Sequence, residues 1–142
     1  MALHYLDASA VVCSLVREPA AARVRAWLGR QDEATLAVSP WVATEVASAL
    51  SMKIRTGDLS VQERADALSE WQLFRDESLI ELPVDREAFE TAARFVARHD
   101  LSLRAGDALH LAIAAANGCA LVTLDERMAK AALELGVPVT DV

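Results

Sequence analysis

The sequence is poor in cysteine. Its 142 residues include only two, Cys13 and Cys119, which lie far apart and form no Cys-x-x-Cys spacing. A disulfide framework and a structural zinc site are therefore excluded. Both cysteines are flanked by apolar residues, as buried thiols usually are. We predict two reduced thiols inside the core of a cytoplasmic protein.

Long apolar runs and flexible linkers are also missing. No apolar stretch approaches the roughly 20 residues that a membrane-spanning helix needs. The first residues contain no basic segment followed by an apolar one, as a signal peptide would. No stretch rich in proline, glycine or serine interrupts the chain, and no segment repeats. We therefore expect one domain over residues 1–142, without a membrane span.

Basic residues are too few for passive binding to nucleic acid. The 14 lysines and arginines are outnumbered by 21 acidic residues, which gives a formal net charge of −7. Binding that neutralises the phosphate backbone needs a basic face, and aromatic residues for base stacking make up only 5% of the chain. An enzyme acting on nucleic acid is not excluded, because bound metal ions reverse the local charge. The acidity favours a basic protein partner.

Short apolar stretches alternate with helical patterns along the chain. This alternation predicts a three-layer α/β sandwich, in which helices cover both faces of a central parallel sheet. The predicted strands are 3–6, 36–38, 79–82, 120–123 and 137–140. The predicted helices are 9–16, 20–28, 41–55, 61–74, 85–99, 105–117 and 126–135. Ser60 and Glu63 have the spacing of a capping box, which marks the start of the fourth helix.

Four acidic residues, Asp7, Glu45, Asp107 and Asp125, lie where the surrounding sequence is apolar. Buried carboxylates need partners, yet no lysine or arginine pattern accompanies these four. If they converge, two carboxylates about 6 Å apart repel each other by about 3 kcal/mol at an effective dielectric constant of about 20. A divalent cation relieves this repulsion, and oxygen ligands suit Mg²⁺ or Mn²⁺. The pattern predicts a metal-dependent enzyme that acts on phosphate esters.

Asp7 and Asp125 each follow a predicted strand and precede a helix. Open parallel sheets bind ligands beyond the carboxyl ends of their strands, so both residues are expected at that edge. The alternative is a purely structural role, since aspartate is a preferred N-cap residue. Ser9 could cap the first helix instead and leave Asp7 free. Ser9 and Thr123 also supply hydroxyls that could orient the carboxylates or a metal-bound water.

Glu45 and Asp107 lie on apolar helix faces. Glu45 belongs to the stripe formed by residues 42, 46, 49 and 50, and its alternative is a border position from which the carboxylate reaches water. Asp107 lies in a first helical turn, where the helix dipole alone stabilises an anion. His110 shares the face of Asp107, and we favour a core histidine over a metal ligand or proton-transfer group.

Four segments of the sequence resemble the PIN-domain family, specifically the VapC-type toxins of bacterial toxin–antitoxin pairs. They are Tyr-Leu-Asp-Ala-Ser-Ala at 5–10, Thr-Glu-Val-Ala-Ser-Ala-Leu at 44–50, Gly-Asp-Ala-Leu-His-Leu-Ala-Ile-Ala at 106–114, and Leu-Val-Thr-Leu-Asp at 121–125. The resemblance spans the chain from the first predicted strand to the last, with the four segments in the family's order.

The resemblance implies an endoribonuclease that depends on Mg²⁺ or Mn²⁺. The family's acidic quartet is matched by Asp7, Glu45, Asp107 and Asp125, and its supporting hydroxyls by Ser9 and Thr123. Asp7 and Asp107 match the foremost direct metal ligands. The resemblance also implies a homodimer and a small cognate antitoxin, whose basic tail enters the acidic groove. It assigns no role to Arg104.

Two other functions remain open from the residues. A phosphotransfer or phosphatase domain would use one aspartate as a nucleophile, but it needs a lysine after a late strand, where this chain has Asp125-Glu126-Arg127. A catalytically silent scaffold would use the acidic groove only to bind a basic protein partner. Neither a Gly-x-Ser-x-Gly elbow nor a paired Cys/His signature is present, so a serine or cysteine nucleophile is not expected.

Overall fold

The computed structural model describes residues 3–142. In these residues the strands are β1 (His4–Leu6), β2 (Leu36–Val38), β3 (Ile80–Glu81) and β4 (Ala120–Val122). The helices are α1 (Ala8–Leu15), α2 (Ala21–Gly29), α3 (Pro40–Arg55), α4 (Val61–Ser78), α5 (Arg86–Ala97), α6 (Ala105–Ala116) and α7 (Glu126–Glu134). Two 3₁₀ turns occur at Glu33–Thr35 and His99–Leu101.

The strands form one parallel sheet in the order β3-β2-β1-β4. Tyr5 in β1 lies opposite Ala37 on one side and Leu121 on the other. Strand β2 is apolar throughout, and Tyr5 and Leu6 of β1 are fully buried, because helices cover both faces of the sheet. Helix α1 packs against α2, α3 and α4, whereas α5 packs against α6. The predicted α/β sandwich with a central parallel sheet is confirmed.

The core of the protein is built from aliphatic side chains of the sheet and helices. Val11, Leu50 and Ile113 are fully buried members of one continuous cluster. Cys13 and Cys119 are buried free thiols, as predicted, and burial raises the pKa of both, which disfavours the thiolate form. None of the helices in residues 3–142 combines the length and apolarity that a bilayer span requires.

Helix starts follow local sequence signals. Pro40 occupies the first turn of α3, and the preceding Ser39 Oγ accepts a hydrogen bond from the Val42 amide. The predicted capping box of α4 is present. Ser60 Oγ accepts from the Glu63 amide, and Glu63 Oε1 accepts from the Ser60 amide, each at 3.0 Å.

Some predicted boundaries are wrong. The strand predicted at 137–140 is reduced to a single bridge between Leu121 and Val139, because Pro138 has no amide hydrogen to extend a ladder. Helix α4 continues to residue 78, since no helix-breaking residue follows Phe74 until β3 begins. Helix α5 ends at residue 97, and the 3₁₀ turn after it closes at Ser102 with a left-handed φ of 54°.

The sheet topology marks one position at the carboxyl edge. From β1 the chain moves to β2 on one side of the sheet, and β4 is added on the opposite side of β1. The carboxyl ends of β1 and β4 therefore flank a topological switch point, where parallel sheets bind ligands. Asp7 follows β1 directly and Thr123 follows β4 directly, so both residues lie there.

Candidate functional site

Asp7 lies at the switch point and is 4% exposed. Its Oδ1 accepts hydrogen bonds from the Ala10 amide at 3.0 Å and from Ser9 Oγ at 2.7 Å. Its Oδ2 accepts a hydrogen bond from Thr123 Oγ1. Asp7 is thus the N-cap of α1. The expectation that Ser9 could cap this helix and free Asp7 is wrong, because the Ser9 hydroxyl donates to Asp7 itself.

The Asp7 carboxylate is held by dipoles rather than by a cation. No ion pair among residues 3–142 joins a lysine or arginine to Asp7. Burial raises the pKa of Asp7, and the hydrogen bonds from Thr123, Ser9 and Ala10 oppose that rise. These three donors use three of the roughly four acceptor sites of a carboxylate. One acceptor site remains for a further ligand.

The hydroxyls of Ser9 and Thr123 connect β4 to α1. They lie 3.3 Å apart, and Ser9 Oγ also accepts from the Leu124 amide at 3.0 Å. Thr123 Oγ1 accepts from the Asp125 amide at 3.1 Å while it donates to Asp7. Each hydroxyl thus orients a carboxylate and anchors the loop that follows β4.

Asp125 is the N-cap of α7, and its Oδ1 accepts from the Met128 amide at 3.1 Å. The residue is exposed, so its carboxylate points into solvent-accessible space near Thr123. The structural alternative from the sequence, an N-cap role, is therefore correct for both Asp7 and Asp125. Although both residues are N-caps, their carboxylates still lie at the carboxyl edge of the sheet.

Asp107 lies in the first turn of α6 and is partly buried. Burial is the main cause that raises its pKa, followed by the negative charge of Asp125. The charges of Glu45 and Asp7 raise the pKa further, and His110 opposes the rise. The carboxylate of Asp107 is therefore within electrostatic range of the other three acidic residues.

Glu45 in α3 points toward α6. Its Oε1 lies 3.0 Å from His110 Nε2, and its side chain is 30% exposed, against 1% for the histidine. A Cβ added to Gly106 would lie 3.2 Å from the same Glu45 oxygen. Glu45 thus contacts the first turn of α6 and retains access to solvent.

Sequence reasoning missed the partner of Glu45. It considered only lysine and arginine and treated His110 as an isolated core histidine. A usable signal was present, because His110 lies inside the apolar run of α6 and buried polar atoms are almost always hydrogen-bonded. Arg104, in contrast, is exposed at the N-cap of α6 and makes no side-chain cap hydrogen bond.

Three of the four acidic side chains of the site lie at helix N-termini. Asp7 and Asp125 cap α1 and α7, and Asp107 lies in the first turn of α6, where the positive ends of the helix dipoles stabilise anions. This explains how carboxylates without lysine or arginine partners gather at one edge of the sheet. The arrangement suits an incoming positive charge.

The donor set fits a hard divalent cation. All four side chains offer carboxylate oxygens, which Mg²⁺ and Mn²⁺ prefer. Within residues 3–142, no group of three or more His, Cys, Asp or Glu side chains forms a preassembled metal cage. Mg²⁺ does not need one, since it commonly keeps several waters and uses one or two carboxylates.

Several solved structures of other proteins have a fold similar to that of this chain. The solved structure of FitAcB from Neisseria gonorrhoeae superposes with a TM-score of 0.73 at 19% identity, covering 98% of this chain and 97% of that one. VapC20 of Mycobacterium tuberculosis, described as a sarcin-ricin loop cleaving toxin, superposes with a TM-score of 0.72 at 14% identity, covering 90% of this chain and 94% of that one. VapBC2 from Rickettsia felis, bound to a DNA fragment from its promoter, superposes with a TM-score of 0.69 at 15% identity, covering 97% of each chain.

At these identities the likeness concerns the fold alone. No curated protein matches the sequence significantly. The family model of the PIN domain matches residues 4–134, which run from the first residue of β1 to the last residue of α7. This chain belongs to the PIN domain family.

Proposed function

We propose that the chain is an endoribonuclease that depends on Mg²⁺ or Mn²⁺ and is the toxin of a VapBC-type toxin–antitoxin pair. The observation that carries this proposal is the placement of three carboxylates at helix N-termini beside the switch point of the sheet. Asp7 and Asp125 cap α1 and α7, and Asp107 lies in the first turn of α6, which Glu45 contacts. Carboxylates gathered without lysine or arginine are costly in an apo protein. Binding of a cation and a phosphate ester gives that arrangement a function.

The residues have distinct proposed roles. Asp7 and Asp107 would hold the metal ion, with Glu45 and Asp125 completing the acidic site from α3 and from the N-cap of α7. When bound, the ion lowers the pKa of a water molecule and neutralises charge on the phosphate. Ser9 and Thr123 keep Asp7 in a single orientation through their hydrogen bonds. This preorganisation avoids a rearrangement during the reaction.

An opening beside the acidic site can accommodate the RNA chain. It has a volume of about 340 Å³ and is lined by Arg23, Thr123 and Asp125, among others. The guanidinium of Arg23, which is exposed in this opening, would pair with a phosphate of the bound RNA. The net charge of −7 makes such local contacts more important than overall attraction.

The proposed partners follow from the family. VapBC-5 of Mycobacterium tuberculosis, which shares the fold, is described as a member of the VapBC family of toxin–antitoxin systems, and this supports a cognate antitoxin for this chain. The acidic site and the net charge of −7 favour an antitoxin with a basic tail. We also propose that the protein is a homodimer. We propose a cytoplasmic location as well, which the buried free thiols of Cys13 and Cys119 support.

The decisive experiment is cleavage of single-stranded RNA by the purified protein with added Mn²⁺. We expect cleavage that stops when EDTA is added. Asp7→Asn and Asp107→Asn should each lower the rate by more than the roughly 100-fold that loss of an outer-shell partner typically costs. Asp76→Asn, on the exposed side of α4, is the matched control and should cleave like the wild type.

Other outcomes separate the alternative functions. An unchanged rate in Asp7→Asn or Asp107→Asn contradicts the assignment of these residues. Absence of RNA cleavage with any divalent cation, combined with tight binding of a basic peptide, would support the silent scaffold. A trapped phosphoaspartate would support the phosphotransfer domain, although three hydrogen bonds to the Asp7 carboxylate make it a poor nucleophile.

A further inference from the structure

A chain of buried hydrogen bonds leads from the core to the acidic site. Tyr5 Oη lies 2.8 Å from Ser39 Oγ and 2.8 Å from His110 Nδ1, and His110 Nε2 lies 3.0 Å from Glu45 Oε1. Tyr5, Ser39 and His110 are each no more than 1% exposed. The chain connects β1, α3 and α6, the elements that carry or adjoin Asp7, Glu45 and Asp107.

One arrangement of protons satisfies every member of this chain. In the tautomer with hydrogen on Nε2, His110 donates a hydrogen bond to Glu45 Oε1 and its Nδ1 is an acceptor. Ser39 Oγ already accepts from the Val42 amide and can donate its own proton to Tyr5. Tyr5, whose pKa is raised by burial, stays a phenol and donates to His110 Nδ1. No buried side-chain polar atom in the described part of the chain lacks a partner.

Glu45 Oε1 also lies close to the first turn of α6. A Cβ on Gly106 would lie 3.2 Å from Glu45 Oε1 and 3.1 Å from the Trp41 ring. Trp41 Nε1 donates to the Gly106 carbonyl at 3.2 Å, which fixes the ring against the first turn of α6. The glutamate oxygen is therefore close to both the imidazole and the first turn of α6. Glycine at 106 allows this close approach.

We propose that His110 is a positioning residue for Glu45. Anchored through Tyr5 to Ser39, the imidazole binds Oε1 and turns the second oxygen of the carboxylate toward the acidic site. His110 itself does not touch substrate or metal. The inference rests on the proposed metal site for its Mn²⁺ readout and on the proposed nuclease function for its cleavage readout, and the two readouts are measured separately.

Two substitutions of His110 separate positioning from packing. His110→Gln retains a donor near the place of Nε2, which faces Glu45, whereas His110→Asn retains a polar group only near Nδ1, which faces Tyr5. Both remove the ring, and asparagine is one methylene group smaller than glutamine, so the loss of packing is separated from positioning by the double-mutant cycle below. We expect His110→Asn to weaken Mn²⁺ binding, measured by calorimetry, and RNA cleavage by about 10–100-fold. His110→Gln should recover most of both, and the exposed control His99→Asn should change neither.

A double-mutant cycle with Glu45→Gln tests whether the effect passes through Glu45. We expect His110→Asn to weaken Mn²⁺ binding in the wild type but to have little further effect in Glu45→Gln. An equal loss of affinity in both backgrounds, or equal affinities of the folded Gln and Asn variants, would overturn the proposal. Circular dichroism establishes that the compared variants are folded.

The same measurements distinguish the inference from the proposed function. If the wild type binds Mn²⁺ with the expected cycle but cleaves no RNA, the nuclease function fails and the positioning of Glu45 stands. If it cleaves RNA and His110→Asn cleaves equally well, the positioning fails and the nuclease function stands. If the wild type shows no saturable Mn²⁺ binding, both fail.

Discussion

Single side chains in this protein have both structural and functional roles. Asp7 caps α1 through Oδ1 and also presents a buried carboxylate at the switch point of the sheet. Its hydrogen bonds from Ser9 and Thr123 offset part of the cost of burial. A carboxylate that caps a helix is also held in a fixed position. The role of Asp7 as an N-cap and its proposed role in the acidic site are therefore compatible.

At this scale, Asp107→Asn should stabilise the metal-free protein at pH 7. Burial and the charges of Asp125, Glu45 and Asp7 raise the pKa of Asp107 in the folded state. A raised folded pKa means that the neutral form favours folding, and that this advantage is lost as pH rises through the folded pKa. The wild type should therefore unfold at a lower temperature than the variant at pH 7, measured by differential scanning calorimetry.

The same pKa argument sets the pH dependence of this difference. The gap between Asp107→Asn and the wild type should close as the pH falls through the folded pKa toward the unfolded value of 3.8. Asp76→Asn, at an exposed position of α4 where solvent screens the charge, should show a much smaller gap. A difference that stays constant between pH 7 and pH 4 would contradict the raised pKa.

Thr123→Val should destabilise the protein more than Thr123→Ser. The threonine hydroxyl donates to Asp7 and accepts from the Asp125 amide, so valine leaves a buried carboxylate oxygen without its donor. We expect a cost of about 1–3 kcal/mol in the free energy of unfolding, measured in urea. Serine keeps the hydroxyl and loses one methyl group, so its cost should be clearly smaller. Equal costs would mean that the methyl group, and not the hydroxyl, matters.

At the scale of elements, stability and the acidic site are carried by different helices. Helix α4 contributes no carboxylate to the site, and its start depends on the capping box of Ser60 and Glu63. Helices α1, α6 and α7 direct their N-termini at the switch point and carry Asp7, Asp107 and Asp125. Changes in α4 should therefore affect folding without affecting the site.

Ser60→Ala should lower the free energy of unfolding by about 1 kcal/mol without changing the cleavage rate at 25 °C. The substitution removes the hydroxyl that accepts from the Glu63 amide. Ser69→Ala, at an exposed interior position of the same helix, is the matched control, since alanine is the better helix former there. A loss of cleavage in folded Ser60→Ala would connect α4 to the site and contradict this separation.

At the scale of the whole molecule, a bound cation should stabilise the fold. At a Mn²⁺ concentration about 100 times the dissociation constant, the stabilisation is about 2.7 kcal/mol. For a chain of this length each kcal/mol raises Tm by about 2–4 °C. We expect a rise of Tm in the wild type at pH 7, measured by calorimetry, and almost none in Asp7→Asn. A similar rise in both would locate the bound ion elsewhere.

Local sequence determined most of the elements and the chemical type of the site. Periodicity and capping residues predicted the helices, because caps such as Ser60 with Glu63 act within one turn. They predicted the strand at 137–140 wrongly, because the amide missing at Pro138 matters only once a neighbouring strand is present. Apolar surroundings also singled out the four carboxylates, and oxygen ligands alone indicated a hard metal ion.

Tertiary structure alone decided which groups meet. Glu45 and His110 are 65 residues apart, and Asp7 and Thr123 are 116 apart, so no local pattern could pair them. The order β3-β2-β1-β4 brings the ends of β1 and β4 together, and the packing of α6 beside α3 brings the imidazole to the glutamate. Hydrogen bonds act over about 3 Å. The partners of each carboxylate are therefore a property of the packed molecule, whereas its charge is a property of the sequence.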